Sequence, residues 1–231
     1  MIKKILKNQF LKAINLNFKN IINLLEVDNN AKFLDLGCFD GFLTKKISEK
    51  INTKKVYGAD ILDEMGQKAM KKGILVKNFN LNAKFDFKDG FFDVINANQV
   101  VEHLYNSDNF FSEIFRVLKP GGYAIISTEN GSSWCNVFAA IFGWQIFSLT
   151  NISSKRAGLG NPFSLHRNEK IASDYYNHVR IYNFRGLKEY LEIFGFKIEK
   201  IKGAGYFPLP AFFGNFDKIH SHFMTFKVRK M

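Results

Sequence analysis

A mostly parallel sheet with helices on both faces is the fold class the sequence predicts. Three observations predict it. Short apolar runs of strand length alternate with segments of helical period along most of the 231 residues. The first such run, Lys32-Phe33-Leu34-Asp35-Leu36, reads as a buried strand that ends at Gly37. The composition, 46% hydrophobic and 23% charged, is that of a chain able to bury one sizeable core.

Residues 2–26 place Ile2, Ile5, Leu6, Ala13, Ile14, Ile21, Ile22 and Leu25 at helical spacing with lysines opposite. They predict an N-terminal helical segment within 1–28 that packs on the core, with a lid near a ligand mouth as the other reading. Residues 32–36 form the first strand and 42–50 a helix; 55–59 form a strand before Asp60, and 62–72 a helix stopping at Gly73. Residues 74–79 and 91–96 are two further strands. Phe110, Phe111, Ile114, Val117 and Leu118 give 107–118 a helical face, with Ser107 as the expected N-cap and Pro120-Gly121-Gly122 as the stop. Residues 123–127 make the fifth strand, and alternation resumes with a helix at 184–194 and strands at 196–203 and 221–228. Residues 130–180 break the rhythm and are expected to form a cap inserted after the fifth strand of a single 1–231 domain.

The net charge of +12 comes mostly from lysines scattered along the chain. With no compact Arg/aromatic cluster, nucleic acid is not the expected partner. Cys38 and Cys135 make neither a disulfide framework nor a metal set, so a reducing cytoplasm is expected and no metal. The first residues form no continuous apolar stretch of the kind a secretory signal needs.

In an open α/β sheet, ligands sit beyond the carboxyl ends of the strands. The first strand here ends in Asp35-Leu36-Gly37, followed by Cys38-Phe39-Asp40-Gly41. Glycines at 37 and 41 allow a sharp turn and close backbone approach. Asp60, after the second strand, could take both hydroxyls of a ribose. A nicotinamide dinucleotide site would need G-x-G-x-x-G, but Phe39 and Phe42 stand where two of those glycines belong. The Asp35 carboxylate suits a cationic amino-acid ligand better than a pyrophosphate. A structural turn without a ligand stays open on these residues alone.

Three segments together carry a resemblance. Phe33-Leu34-Asp35-Leu36-Gly37-Cys38-Phe39-Asp40-Gly41-Phe42-Leu43-Thr44 resembles the first motif of class I S-adenosylmethionine-dependent methyltransferases. Phe92 to Leu104, with its Glu102-His103 pair, is similar to that family's fourth-strand motif, and Arg116 to Gly122 to the turn before its fifth strand. The likeness runs from about 31 to 130 and more weakly from 178 to 230, and is nearest in character to ubiquinone/menaquinone-type and sugar- or lipid-directed members. It implies a Rossmann-like, doubly wound seven-stranded sheet whose last strand is antiparallel, with S-adenosyl-L-methionine as the cofactor. Asp35 would lie near the methionine ammonium, and Gly37, Cys38, Phe39 and Gly41 would form the turn beside the methionine and ribose. Asp60 would hold the ribose, Ile61 the adenine face, Asn80 and Leu81 the adenine edge, and Asn98 and Gln99 the floor under the sulfonium. Phe39 departs from the family's central glycine, and Asn80 from its usual aspartate.

Methyl transfer from a sulfonium is an in-line displacement in which the enzyme mainly aligns the partners. A general base is needed only where the acceptor must lose a proton. His103, His166 and His178 are candidates. His178 ranks first for substrate contact, because Val179-Arg180-Ile181-Tyr182 resembles the acceptor-side element of the family, and His103 second. The expected acceptor is a small molecule, quinone-like, lipid or sugar, methylated at oxygen. Methylation at nitrogen or carbon, or a turnover-deficient cofactor-binding partner subunit, are the alternatives. Residues 130–154 carry no charge and include Trp134, Phe138, Ile141, Phe142, Trp144 and Phe147, but their Asn, Gln, Ser and Thr content is too high for a membrane span. They are expected to form a core helix in a cap; the sharper reading is an apolar cap over the acceptor that touches a membrane surface, with the basic residues of 155–180 beside it.

Overall fold

The seven expected strands all form, and their order explains where a ligand can sit. The computed structural model describes residues 2–231; Met1, and the side chain of Ile2, which the sequence assigns to the N-terminal helix, lie outside the described residues. In chain order the elements are α1 (Ile2–Leu24), β1 (Lys32–Leu36), α2 (Phe42–Ile51), β2 (Lys55–Asp60), α3 (Asp63–Met70), β3 (Leu75–Asn78) and β4 (Phe92–Asn98). They continue with α4 (Ser107–Val117), β5 (Leu118–Glu129), α5 (Trp134–Ile141), α6 (Phe184–Ile193), β6 (Phe196–Ala204) and β7 (Phe223–Lys230). The sheet order is β3-β2-β1-β4-β5-β7-β6. β1 pairs in parallel with both β2 and β4, β2 with β3, and β4 with β5, while the last strand is antiparallel. The fold is therefore the Rossmann-like, doubly wound sheet the resemblance implies. Strand order reverses between β1 and β4, which opens the crevice that ligands of such sheets use.

Two compact units divide the chain. The sheet unit comprises Ile21–Ser127, Lys188–Lys200 and Phe226–Met231. Its core is the inward face of each predicted element: Phe33, Leu34 and Leu36 on β1, Ile47 and Ile51 on α2, Ile95 on β4, and Phe110, Phe111, Ile114 and Val117 on α4 are all fully buried. Phenylalanine supplies much of this packing. Tyr57, Phe87, Phe91 and Phe92 meet mostly edge to face, with ring centroids 4.8–6.4 Å apart.

Two local expectations are corrected. The N-cap of α4 is Asn106, whose side chain accepts from the Asn109 N–H at 3.2 Å; the Ser107 hydroxyl instead pairs with Tyr190 Oη at 3.1 Å. An Asn at this position can reach back to the third N–H as well as a Ser can. Pro120-Gly121-Gly122 is also not a loop ahead of the fifth strand. β5 starts at Leu118, and the register of its pairing slips between Phe92 and Val94, so the Pro-Gly-Gly run is a bulge within the strand.

The insertion unit comprises the chain up to Asn20, Thr128–Leu187 and Ile201–Thr225. The N-terminal part of α1 packs here: Ala13 is buried with Ala204, Ala211 and Phe223, against Phe10, Ile14 and Leu16. Within 130–154 the α-helical portion is only α5, followed by a short 3-10 turn (Phe147–Leu149); much of the rest is irregular and its polar residues satisfy the backbone. Asn130, fully buried, donates from Nδ2 to the carbonyls of Ile219 (2.8 Å) and Ser221 (2.9 Å). Asn136 donates to the Asn130 carbonyl and to Ser148 Oγ, both at 2.9 Å. Among the described residues no helix is long and apolar enough to cross a membrane.

Candidate active site

The sheet unit gathers the predicted cofactor residues at the carboxyl ends of β1, β2 and β4. Register places Asp35 beside Gly58 on one flank and Asn96 on the other, so the ends of the three strands lie side by side. The turn after β1 is fastened to β2 by its backbone: the N–H groups of Gly37 and Cys38 donate to the Ala59 carbonyl at 2.8 and 3.1 Å. Asp60 fastens it again. Its Oδ2 accepts from the Phe39 N–H at 2.7 Å and its Oδ1 from the Leu62 N–H at 2.9 Å. Each carboxylate oxygen has a second lone pair left for a ligand hydroxyl.

Gly37, at φ +71°, could not carry a side chain, because a Cβ would lie 2.6 Å from Val100 Cγ2. Gly41, at φ +77°, would meet Ile74 Cδ1 at the same distance. These glycines are therefore required by protein packing as well as by any ligand. Phe39 stands where the family has a glycine, yet keeps a left-handed φ of 48° with its ring 44% exposed. The turn has the shape a glycine would give it, at a conformational cost of about 1 kcal/mol offset by the bond to Asp60. Cys38 points inward against Gly58, and burial, with the nearby carboxylates of Asp35 and Asp60, pushes its thiol far above the ordinary range.

Asp35 is buried at 3% exposure. It accepts from Thr44 Oγ1 at 2.5 Å and from Asn96 Nδ2 at 2.7 Å. Burial raises its carboxyl to about 6; the two hydrogen bonds oppose the rise and the Asp60 charge adds to it. Thr44 and Asn96 were not among the expected site residues. A Thr in the first turn of α2, and an Asn in an otherwise apolar buried strand, were the available signals.

At the end of β4, Gln99 adopts φ 55°, and its N–H donates to the Ser127 carbonyl at 2.8 Å. Its buried Nε2 makes no hydrogen bond, and neither does Asn96 Oδ1. Buried polar atoms without partners are uncommon, and Asn96 Oδ1 belongs to the amide that donates to Asp35, an anion that burial makes costly. A ligand with an ammonium group and several hydroxyls would satisfy all of them, so the residues present fit S-adenosylmethionine. Asn98 lies beside Gln99, in register with Ser127. Ile61 is half-buried after Asp60, and Leu81 is buried. Asn80 is exposed, and its Oδ1 already accepts from the N–H and Nδ2 of Asn82, both at 2.9 Å; what it can still present is an amide donor.

The two histidines fall in different units. His103 ends a short 3-10 turn (Val101–His103) after β4, half-buried beside the fully buried Glu102. His178 belongs to the insertion unit, where its Nδ1 donates to the Ser148 carbonyl at 2.7 Å. That bond fixes the tautomer and makes Nε2 the basic nitrogen. His178 lines a cavity of about 940 Å³ within this unit, whose wall is dominated by residues such as Phe10, Phe138, Ile141, Phe147 and Phe163. His166 lines it too, paired with Glu169 at 2.9 Å.

Comparison with known proteins bears on this geometry. Residues 9–201 match the family model described as a methyltransferase domain. Among curated relatives, the mitochondrial ubiquinone biosynthesis O-methyltransferase of Rattus norvegicus is 27% identical over 82% of this chain and 54% of its own length. The ubiquinone biosynthesis O-methyltransferase of Nitrosococcus oceani is 23% identical over 91% of this chain and 84% of its own. The chain thus spans little more than half the length of the rat relative. A solved S-adenosylmethionine-dependent methyltransferase from Thermotoga maritima superposes with a TM-score of 0.62 at 16% identity, covering 97% of this chain and 94% of that one, a likeness of fold.

Proposed function

Since this chain belongs to the class I S-adenosylmethionine-dependent methyltransferases, and S-adenosylmethionine is its cofactor, we propose that it methylates an oxygen of an apolar, quinone-like or lipid-like small molecule. The 940 Å³ cavity with its aromatic wall is the observation that carries this reading of the acceptor. Its volume suits a drug-sized or larger apolar ligand. The ubiquinone biosynthesis relatives are O-methyltransferases, which supports the choice of oxygen.

In this reading Asp35 faces the ammonium of the cofactor, Asp60 its ribose, and Ile61, Asn80 and Leu81 its adenine. Gly37, Cys38, Phe39 and Gly41 give the backbone turn around it, and Asn98 and Gln99 the polar floor. When bound, the cofactor supplies a methyl carbon already activated by positive sulfur. The chain therefore has to align the acceptor oxygen and remove its proton. His178 takes that proton at Nε2, with the Ser148 carbonyl holding the ring by Nδ1; His103 is second in line. Residues 130–180 serve as the acceptor-side cap. The exposed apolar stripe of α5 touches the membrane from which an apolar acceptor is drawn, with the protein otherwise in the cytoplasm.

The test is a methyl-transfer assay on a panel of phenolic and enolic lipids, flavonoid-sized phenols, amines and sugars. Turnover of a phenolic or enolic lipid, lost at least about hundredfold in His178→Ala with S-adenosylmethionine affinity unchanged, is the expected result. Turnover confined to amines, or cofactor binding with no turnover of any class, would replace the reading with nitrogen methylation or a non-catalytic subunit.

A further inference from the structure

Three side chains that methyl transfer does not use meet on the wall of the same cavity: Glu129, Cys135 and His222. They come from separate segments of the insertion unit, namely the end of β5, the first turn of α5 and the residue before β7. The backbone brings them together deliberately. His222 is clamped on both sides, its N–H donating to the Gly205 carbonyl and its carbonyl accepting from the Asn130 N–H, each at 2.9 Å. Gly205, at φ +80°, permits this approach, since a Cβ there would lie 2.8 Å from Ala13 Cβ and 2.9 Å from His222 Cβ. Phe10 and Phe223 hold the ring edge-on, with centroids 5.6 and 4.5 Å away, and leave His222 8% exposed.

The contacts are those of an activated thiol. Cys135 Sγ is 3.4 Å from His222 Nδ1 and 3.2 Å from Ser133 Oγ, and Glu129 Oε1 lies 3.9 Å from the opposite ring nitrogen, Nε2. Ser133 is the N-cap residue of α5, yet its hydroxyl caps no backbone N–H and sits on the sulfur instead. The sulfur also occupies the first helical turn, where unpaired N–H groups favour negative charge. Burial alone would push the Cys135 thiol up, but the His222 charge and hydrogen bond, with the Ser133 hydroxyl, outweigh it and bring it below its ordinary value. Burial would likewise lower His222, but Cys135 and Glu129 raise it. The contact therefore favours passage of the Cys135 proton to His222 Nδ1.

We propose that Cys135, His222 and Glu129 form a nucleophilic site that captures apolar α,β-unsaturated carbonyl compounds entering the cavity. The thiolate forms an S–C bond at the β-carbon, and the C=C π pair moves onto the carbonyl as an enolate. The proton that Cys135 has given to His222 Nδ1 passes to the α-carbon, which leaves the imidazole neutral. The product is a thioether, and no oxidant, reductant or cofactor takes part. A soft sulfur nucleophile selects a soft carbon electrophile, and the aromatic wall selects an apolar one. The activity is independent of methyl transfer and can fail without it.

The probe is N-ethylmaleimide, with N-octylmaleimide as its apolar counterpart, on the full chain without S-adenosylmethionine. Mass spectrometry should place the adduct on Cys135, with Cys38, held inward against Gly58, unlabelled until the protein is unfolded. At pH 6 the rate should exceed that of free cysteine at least about tenfold, because an ordinary thiol of pKa about 8.5 is almost wholly protonated there. His222→Gln should remove that excess, and Glu129→Gln should move the midpoint of the rate–pH curve upward by less. His166, Glu169, Lys170, His178 and Tyr206 also line the cavity and are present in all three proteins, so the difference between curves isolates the pair. N-octylmaleimide should react at least about tenfold faster than N-ethylmaleimide after normalisation to free cysteine. A wild-type curve that overlays an ordinary thiol, labelling that begins at Cys38, or an unreactive Cys135 in folded protein would overturn the proposal. The wild-type measurements stand even if a variant fails to fold. Calorimetry with S-adenosylmethionine on the same sample reports separately on the methyltransferase reading.

Discussion

Replacing Asp35 with asparagine should make the protein more stable at neutral pH while weakening its hold on the cofactor. The carboxyl is raised from 3.8 to about 6 by burial, against two hydrogen bonds that favour the anion. At 1.36 kcal/mol per pKa unit, keeping Asp35 ionised in the folded state costs about 3 kcal/mol. The sign follows from proton counting. Between pH 3.8 and about 6 the folded state holds more protons at this position than the unfolded chain, so its contribution to stability falls as pH rises through that window. Asp35→Asn removes the dependence. Its new amide can also be accommodated: the Thr44 hydroxyl can turn, and the Asn96 amide can rotate to present Oδ1, which makes no hydrogen bond in the native protein. Urea denaturation of both proteins, followed by circular dichroism, should show the stability of the variant relative to native growing by about 2.5 kcal/mol from pH 4 to pH 8. Taking the difference cancels the groups common to both, such as Glu113, which Arg116 holds below the usual carboxylate range despite partial burial. A difference that stays flat, or that turns against the variant at pH 8, would refute the reasoning. The cofactor should work in the opposite direction, because an ammonium beside Asp35 restores the anion. Binding to native protein should then release protons near pH 5–6, seen in calorimetry as a heat that varies with the ionisation enthalpy of the buffer.

Three further outcomes are expected. Asp60→Ala should weaken S-adenosylmethionine binding by about 1–3 kcal/mol in calorimetry, by removing ribose contacts and by freeing the N–H groups of Phe39 and Leu62; unchanged affinity would place the ribose elsewhere. Gly37→Ala should destabilise the fold by about 2 kcal/mol or more in urea melts, since its Cβ would meet Val100 Cγ2 at 2.6 Å at φ +71°. Adding Val100→Ala should recover the steric part and leave the backbone part of about 1 kcal/mol. Trp134, Phe138 and Ile141 are 42%, 51% and 74% exposed at i, i+4 and i+7 on α5, so the protein should float with anionic vesicles, and Phe138→Glu with Ile141→Glu should abolish flotation. Native protein that stays off the vesicles would remove the membrane from the reading.

How much of this was legible in the chain depends on how local each feature is. The cofactor turn is local. Asp35, Gly37 and Gly41 fall within seven residues, and the second carboxylate sits at the end of the next strand, so spacing alone brings them to one edge of the sheet. Even Phe39 could be placed in the turn, although only the structure reveals that it adopts the conformation of the glycine it replaces. Thr44 and Asn96 were harder. Each is an ordinary polar residue until the register of β1 and β4 puts both within 2.7 Å of Asp35. The cap of α4 slipped by one residue because adjacent Asn106 and Ser107 are both good caps, and only backbone geometry chooses between them.

The insertion unit resisted for a different reason. Cys135 and His222 are 87 residues apart, and neither stands in a spacing that marks a catalytic pair. What joins them is Asn130, whose amide and backbone fasten the chain before β7 to the end of β5. In the sequence Asn130 is one polar residue at the head of an uncharged stretch, and its weight there was to argue against a membrane span. The same polar residues that disqualify the stretch as a span are the ones that hold its irregular backbone, and an irregular backbone is what can enclose a 940 Å³ apolar cavity while leaving a few polar groups on its wall. The cavity is therefore specified by long-range hydrogen bonds rather than by periodicity, and that is why a turn of seven residues could announce the donor while the cavity had to be seen.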